Sequence, residues 1–240
     1  MSAMPHVIRL TKHLYRRVLS LSIRRSPIVI KLKQRLLSHD MLYDLDYYGS
    51  AVEGPAVRSA AAMADSIYAE FNPTLVIDVG CGTGALLEAL HRKGCKAYGL
   101  DYSEAALMFC RARGLDVLKF DLERGVFHDD RIFDVAISLE VAEHLPPSAA
   151  NRYVELLSRL SPIVVFSAAP PGHGGMDHVN EQLPSYWISK FRRHGFEYRE
   201  ALTRRWSDEW RQAGTVEPCY HEHLMVFRRA SRSPAAVCQG

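Results

Sequence analysis

The sequence lacks both a long hydrophobic run and a cysteine pattern that would cross-link it. Its five cysteines, at positions 81, 95, 110, 219 and 238, include no C-x-x-C pair, which argues against a disulfide framework or a structural zinc site. No apolar stretch approaches the roughly 20 residues of a membrane-spanning helix, and no secretory signal is recognisable. We therefore expect reduced thiols and a cytoplasmic location.

Internal repeats are absent as well. With 240 residues and 48% hydrophobic content, the chain can bury one substantial core, and one domain with appendages is the simplest organisation. We predict a domain over residues 46–228, an extension over residues 1–45 and a disordered tail over residues 229–240, which are rich in Arg, Ser, Pro and Ala.

Acidic residues are scarce at the N-terminus, where positions 1–40 hold nine Lys or Arg and one acid, Asp40. Positions 41–240 are acidic, with 21 basic and 26 acidic residues, although the whole chain carries +3. Apolar residues recur at helical spacing among the N-terminal bases, which predicts a basic amphipathic helical extension. Three uses remain open for it: covering a ligand cleft or a neighbouring subunit, peripheral contact with a membrane surface or targeting, and binding nucleic acid.

A glycine-rich turn follows a short apolar strand. Residues 75–79 are mostly apolar and β-branched, as in a strand buried on both faces, and residues 85–90 are typical of a helix start. Between them, Gly80, Gly82 and Gly84 permit backbone conformations closed to other residues and the close approach of a ligand. The sequence therefore predicts a cofactor-binding turn.

Acidic residues lie at the ends of three successive predicted strands: Asp78, Asp101 and Asp121. Open α/β sheets bind ligands at this edge, and a carboxylate after the second strand suits a ribose, whose two hydroxyls both donate. The glycines also fit the dinucleotide fingerprint, so they do not exclude NAD or FAD. Taken singly, the acids have simpler interpretations, as a cap of the loop, an N-cap of the helix from Ser103 and a turn residue.

Four segments, residues 76–84, 97–103, 119–122 and 133–145, together resemble the class I S-adenosylmethionine-dependent methyltransferases in order and spacing. Residues 138–145 are especially similar to the subgroup that includes the ubiquinone-type O-methyltransferases. The resemblance implies an α/β fold with a Rossmann-like, doubly wound, mostly parallel seven-stranded sheet and an antiparallel edge strand. It also implies S-adenosylmethionine as cofactor and S-adenosylhomocysteine as product.

The resemblance further implies which residues bind the cofactor. Asp101 would hold the ribose with Tyr102 beside the adenine, Asp121 would accept from the adenine amino group, and Leu122 would give a backbone contact. Glu140 is interpreted as a cleft-wall residue on the cofactor side. The methionine end would be lined by Asp78, Gly80, Cys81, Gly82 and Gly84, with Cys81 as a small filler and not a nucleophile.

Methyl transfer to an oxygen requires alignment of the acceptor, exclusion of water and removal of a proton. His144 is the predicted base, since histidine titrates near neutral pH and this one follows the fourth strand. Glu143 would orient the ring or act itself. Packing and loop capping would explain the same pair equally well.

A second polar segment, residues 170–182, is predicted to be a mobile lid because it holds three glycines. On it, His178 would handle the substrate together with Asn180 and Glu181. The alternative is that Asn180 or Glu181 caps the next helix.

Glu140, Glu143 and His144 stand at i, i+3 and i+4, so a helix would place them on one side, with His178 as a fourth ligand for Mg²⁺, Mn²⁺ or Zn²⁺. This set is similar to that of the metal-dependent small-RNA 3′-end 2′-O-methyltransferases. The same Glu-x-x-Glu-His pattern occurs in methyltransferases that use no metal. We therefore predict no metal and keep the RNA enzyme as an alternative.

The acidic body argues against an extensive nucleic-acid surface, because phosphate binding needs clustered Lys and Arg on the folded face. Polar groups on the lid suit a hydroxylated acceptor. We predict methylation, at oxygen, of a small molecule or of a glycan- or lipid-linked acceptor. A regulatory or scaffold protein that binds S-adenosylmethionine without turnover is the alternative from another class, and tight nicotinamide binding would instead indicate a dehydrogenase.

Overall fold

The computed structural model describes residues 43–231, and the predicted N-terminal extension and C-terminal tail lie almost entirely outside them. The described residues form one seven-stranded sheet. Its strands are β1 (Leu75–Val79), β2 (Lys96–Asp101), β3 (Asp116–Lys119), β4 (Val135–Leu139), β5 (Ile163–Ser167), β6 (Phe196–Tyr198) and β7 (Leu224–Arg229).

Helices flank both faces of this sheet. Residues 43–52, here called the strap, contain one α-helical turn (Leu45–Tyr47) and a π-helical turn (Tyr48–Val52). The longer helices are α1 (Glu53–Phe71), α2 (Ala85–Arg92), α3 (Glu104–Ala112), α4 (Ala150–Leu160), α5 (Pro184–Arg193), α6 (Glu200–Ala213) and the short α7 (Pro218–Glu222).

The strand order is β3-β2-β1-β4-β5-β7-β6. The pairs among β1 to β5 are parallel, whereas β7 runs antiparallel to both β5 and β6. The predicted fold class is therefore confirmed. The antiparallel strand β7 is the second strand from one edge of the sheet, and β6 is the edge strand. The order reverses between β1 and β4, and in such sheets the carboxyl ends beside that point form the ligand crevice.

Both faces of the central strands are buried, as their near-continuous apolar sequence predicts. Along β1, Val76 packs into a core layer with α1, α2 and α6, while Ile77 and Val79 pack into the opposite layer with α4 and α5. The two layers fix the sheet rigidly and so position the loops that follow its strands.

One expectation about the C-terminal part was wrong. The sequence near residues 196–202 predicts a strand, but β6 ends at Tyr198 and α6 begins at Glu200. The buried positions Thr203, Trp206 and Trp210 recur at helical spacing, and the indole N–H of Trp210 donates to Ser66 on α1. Strand β7 continues to Arg229, whose backbone N–H donates to the carbonyl of Pro162.

Among residues 43–231, no helix combines the length and apolar character needed to cross a bilayer.

Candidate active site

A cavity of about 720 Å³ opens at the carboxyl edge of β1, β2 and β4. The strap, the glycine turn, the loops after β2, β3 and β4, and the segments 173–178 and 217–220 all contribute to its walls. The structure thus brings together all the predicted cofactor and catalytic residues except Gly84.

The glycine turn needs its glycines for reasons visible in the backbone. Gly80 has φ +86°, and a Cβ there would lie 2.4 Å from Val141 Cγ2. Gly82 has φ +53° and donates its N–H to Asp101 Oδ2 at 2.9 Å. Gly84 (φ +78°) is instead the N-cap residue before α2, and a Cβ there would lie 2.8 Å from Cys110 Sγ. Gly84 therefore shapes the turn from behind and does not line the cavity.

Asp101 anchors the turn and still faces the cavity. Its Oδ2 accepts from Gly82 N–H, and its Oδ1 accepts from the backbone N–H of Ser103 at 2.8 Å. Ser103 itself is the N-cap of α3, so the interpretation of Asp101 as that N-cap is wrong. Asp101 also lines the cavity, and its carboxylate is the kind of group that accepts hydrogen bonds from ligand hydroxyls.

Asp121 serves the local turn. Its Oδ1 accepts from the backbone N–H groups of Glu123 and Arg124, at 2.8 and 3.1 Å. The turn role proposed for this acid is therefore real, and the same residue also lines the cavity, as does Tyr102. Lys119 Nζ lies 5.3 Å from the centre of the Tyr102 ring, which steadies the ring from one side.

Asp78 is buried beside the turn. Burial raises its pKa to about 8, and the charge of Asp101 adds to the increase. Placing positive charge next to these two acids would relieve their mutual repulsion. The cofactor implied by the sequence carries a sulfonium and an ammonium, so its charge fits this end of the cavity.

The raised pKa of Asp78 should make the folding stability of the ligand-free protein depend on pH. The pKa of Asp78 is about 8 when folded against 3.8 ordinarily, so between these values the folded chain holds a proton that the unfolded chain releases. The resulting stabilisation is complete below about pH 4 and is lost as the pH rises through about 8. We expect the melting temperature of the wild type to fall more steeply than that of Asp78→Asn between about pH 5 and pH 9. Parallel curves in scanning calorimetry would show that Asp78 ionises normally.

Two neighbours of the turn complete the cofactor side. The hydroxyl of Thr83 is buried at the cavity wall without a hydrogen-bond partner among the described residues, and a polar ligand group would satisfy it. Sequence reasoning missed Thr83, although its place inside the glycine turn was the available signal. Cys81 Sγ lies 3.9 Å from Cys110 Sγ, and this contact together with burial raises its pKa. An inert filler fits this environment better than a nucleophile.

A cluster of three side chains lies after β4. Glu143, His144 and His178 place one ligand-type atom each within 4.8 Å of one another. The His144 and His178 rings meet edge-to-face with centroids 4.8 Å apart, and His144 Nδ1 lies 3.3 Å from the Tyr43 hydroxyl. Burial lowers the pKa of His178, which keeps its ring neutral at ordinary pH.

Glu143 is fully buried, with neither carboxyl oxygen hydrogen-bonded within residues 43–231. Burial, reinforced by the charge of Glu140, raises its pKa well above the ordinary value, because a buried carboxylate loses its hydration. Its backbone carbonyl accepts from Val179 and Asn180 N–H, which ties the lid segment to the loop after β4.

The lid segment is held in place by its own polar residues. Glu181 accepts from the N–H groups of Gly172 and Gly174, both at 2.8 Å, and contacts His178 Nδ1 at 3.1 Å. Neither Glu181 nor Asn180 caps α5, whose N-cap is Leu183 without a side-chain bond. Glu181 is therefore an organiser of the lid, and it orients His178.

Glu140 lies beside Glu143 and pairs with another histidine. Its φ is +56°, and of residues 140–144 only 142–144 form a helical turn, of the 3₁₀ type, so the helix that would have put the three side chains on one face is not formed. The Glu140 carboxylate contacts His223 Nδ1 at 3.1 Å. Glu140 lines the cavity, as the cleft-wall interpretation predicts, but it is not a member of the three-residue group.

The comparisons with known proteins agree with this architecture. Residues 70–154 match the family model described as Methionine biosynthesis protein MetW. A ubiquinone biosynthesis O-methyltransferase of Alkalilimnicola ehrlichii is 31% identical over 143 residues, covering 57% of this chain and 53% of that protein. The corresponding enzyme of Methylococcus capsulatus is 34% identical over 119 residues, covering 47% and 46%. The chain thus spans about half the length of the curated relatives it matches.

Solved structures share the fold at low identity. A magnesium protoporphyrin IX methyltransferase of Synechocystis, with bound S-adenosylmethionine, superposes with a TM-score of 0.57 at 15% identity, covering 93% of this chain and 97% of that one. An amino pentose methyltransferase of Micromonospora echinaspora gives 0.57 at 21% identity, covering 77% and 97%.

The strand order separates the two readings of the glycine turn. The dinucleotide-binding fold has the order 3-2-1-4-5-6, whereas here the antiparallel β7 lies between β5 and β6. The chain thus shares its fold with S-adenosylmethionine-dependent methyltransferases, and part of its sequence is similar to the MetW family model and to ubiquinone biosynthesis O-methyltransferases.

Proposed function

We propose that this protein transfers a methyl group from S-adenosylmethionine to a hydroxyl of a small molecule or of a glycan- or lipid-linked acceptor. The observation that carries the proposal is the placement of His144, with Glu143 and His178, in the same cavity as the glycine turn and Asp101. Asp101 would hold the ribose, and Asp121 and Leu122 the adenine. Asp78 and Thr83 would face the methionine end.

The charge of the cavity supports an acceptor without phosphate groups. Eight Asp or Glu residues and one arginine, Arg124, contribute to its described walls. Such a lining repels phosphate and carboxylate groups and tolerates neutral or cationic ones. A polyhydroxylated or otherwise uncharged acceptor fits this environment, and an RNA strand does not.

His144 would remove the acceptor proton. The bound cofactor supplies an already activated methyl group on its sulfonium. When bound, the cofactor would supply the methyl group to the acceptor oxygen and its sulfur would keep the electron pair of the carbon–sulfur bond, while the hydroxyl proton would pass to His144. Residues 173–178 and the strap line the cavity and would help to keep water from this step.

A labelled-methyl screen tests this proposal. The protein would be incubated with trideuteromethyl-labelled cofactor and fractionated metabolite, glycolipid and RNA pools of a bacterial extract, followed by mass spectrometry. We expect the label at oxygen in the metabolite or glycolipid pool, absent when His144→Ala replaces the wild type. Label confined to RNA, or to nitrogen or carbon, would refute the acceptor class.

A second candidate, a metal-dependent RNA 2′-O-methyltransferase, is favoured by one observation. The described part of the chain holds a carboxylate and two imidazoles within 4.8 Å, and two histidines with one carboxylate are a familiar divalent-metal set. Bound metal would also satisfy the unpartnered oxygens of Glu143.

Chelation distinguishes the two candidates. Under the first proposal, EDTA leaves turnover unchanged, because His144 needs no metal to accept a proton. Methyl transfer would be measured before and after dialysis against EDTA, with Mg²⁺, Mn²⁺ and Zn²⁺ added back singly. Loss of activity on chelation and its restoration by one metal would favour the second candidate.

A further inference from the structure

Tyr43 lies at a junction between the cofactor side and the candidate base. The residue is buried, at 5% exposure, and packs with Tyr48 and Ala106 in a small apolar cluster. Its backbone carbonyl accepts from the Ser103 hydroxyl at 2.9 Å, and the Ser103 N–H donates to Asp101. The strap is therefore linked through Ser103 to the acid that would hold the ribose.

The side chain of Tyr43 reaches across the cavity to His144. Its hydroxyl lies 3.3 Å from His144 Nδ1, and the two rings meet edge-to-face with centroids 6.1 Å apart. A hydroxyl can donate or accept, so the contact fits either tautomer of the ring. Only one tautomer is useful for proton removal: Nδ1–H donates to the tyrosine oxygen, and Nε2 keeps its lone pair.

We propose that Tyr43 is a positioning residue that holds His144 in the Nδ1–H tautomer and so presents Nε2 to the acceptor hydroxyl. The inference rests on the proposed role of His144 as the base. When Nε2 takes the acceptor proton, both ring nitrogens become donors and the Nδ1–H bond to the Tyr43 oxygen is kept. No reorientation of the ring is then needed during the step. Tyr43 is also hydrogen-bonded to Ser103, which in turn bonds to Asp101. The contact between Tyr43 and His144 therefore connects the position of the base to the position of the acid that would bind the ribose.

Nitrogen chemical shifts of His144 test the proposal without turnover. We would record two-bond ¹H–¹⁵N spectra of uniformly labelled protein with S-adenosylhomocysteine, and identify His144 by its absence in His144→Ala. In the wild type we expect a protonated Nδ1 and an unprotonated Nε2. Tyr43→Phe should shift the population toward Nε2–H, the tautomer that a free imidazole side chain prefers.

Tyr47→Phe is the matched control, because Tyr47 lies in the same strap with its ring 5.1 Å from that of Tyr43 and also lines the cavity. It should leave the His144 spectrum unchanged. Once an acceptor is known, Tyr43→Phe should lower kcat by roughly 3- to 10-fold, the scale of one hydrogen bond, with KM for the cofactor unchanged.

An Nε2–H tautomer in the wild type would overturn the proposal, whether or not Tyr43→Phe folds. So would a Tyr43→Phe spectrum identical to that of the wild type. Failure of the wild type to bind S-adenosylhomocysteine would count against the proposed function instead, so the two failures are distinguishable.

Discussion

His144→Ala slows methyl transfer by roughly 10²- to 10⁴-fold, the usual contribution of a general base, while affinity for S-adenosylhomocysteine stays nearly unchanged. The reason is geometric. The His144 ring contacts Tyr43 and His178, whereas the glycine turn is held by Asp101. Turnover with a known acceptor and calorimetric titration of the product would measure the two effects separately.

His173→Ala is the matched control for that experiment. His173 lines the same cavity, and its ring packs against those of His178 and His223. We expect a much smaller loss of turnover than for His144→Ala. Full activity of His144→Ala would return this residue to a packing role and leave Glu143 as the remaining candidate for proton transfer.

Asp101→Asn should weaken cofactor binding by about 1.5–3 kcal/mol, the scale of lost charge-assisted hydrogen bonds, which is roughly 10- to 100-fold in Kd. Asparagine keeps one oxygen for the Gly82 or Ser103 N–H, so the turn should persist. The substitution has a second expected effect: because the charge of Asp101 helps to raise the pKa of Asp78, that pKa should fall. Titration with S-adenosylhomocysteine across the pH range measures both.

Asp121→Asn serves as the comparison. Asp121 follows β3 at the same edge of the sheet, and its carboxylate accepts hydrogen bonds from the backbone of its own turn. We expect a smaller loss of affinity there. Equal affinities for the wild type and Asp101→Asn would mean that the ribose lies elsewhere in the cavity.

The central strands could be predicted from sequence because their signals are local. Residues 75–79 are a mostly apolar, β-branched run followed by the glycine turn, and the predicted strand has the bounds that the structure shows. Buried parallel strands impose this composition wherever they occur. Helix α6 was not predicted because its sequence has few apolar residues. Its buried positions are only Thr203, Trp206 and Trp210, and most of the other residues are charged or polar.

The interior of the site could not be predicted in the same way. The contact of Tyr43 with His144 joins positions 101 residues apart, and nothing in either local sequence encodes it. The raised pKa of Glu143 follows from complete burial beside Glu140, and the sequence shows only an acid in a polar loop. Likewise, the role of Glu181 emerges only once the lid is folded around it.

Calorimetric titration of the purified chain with S-adenosylhomocysteine, run beside NADH, tests the central claim most directly. We predict micromolar binding of S-adenosylhomocysteine, weakened by Asp101→Asn, and no comparable binding of NADH. Preference for NADH, or no binding of S-adenosylhomocysteine, would contradict the account of the glycine turn and of the acids around it.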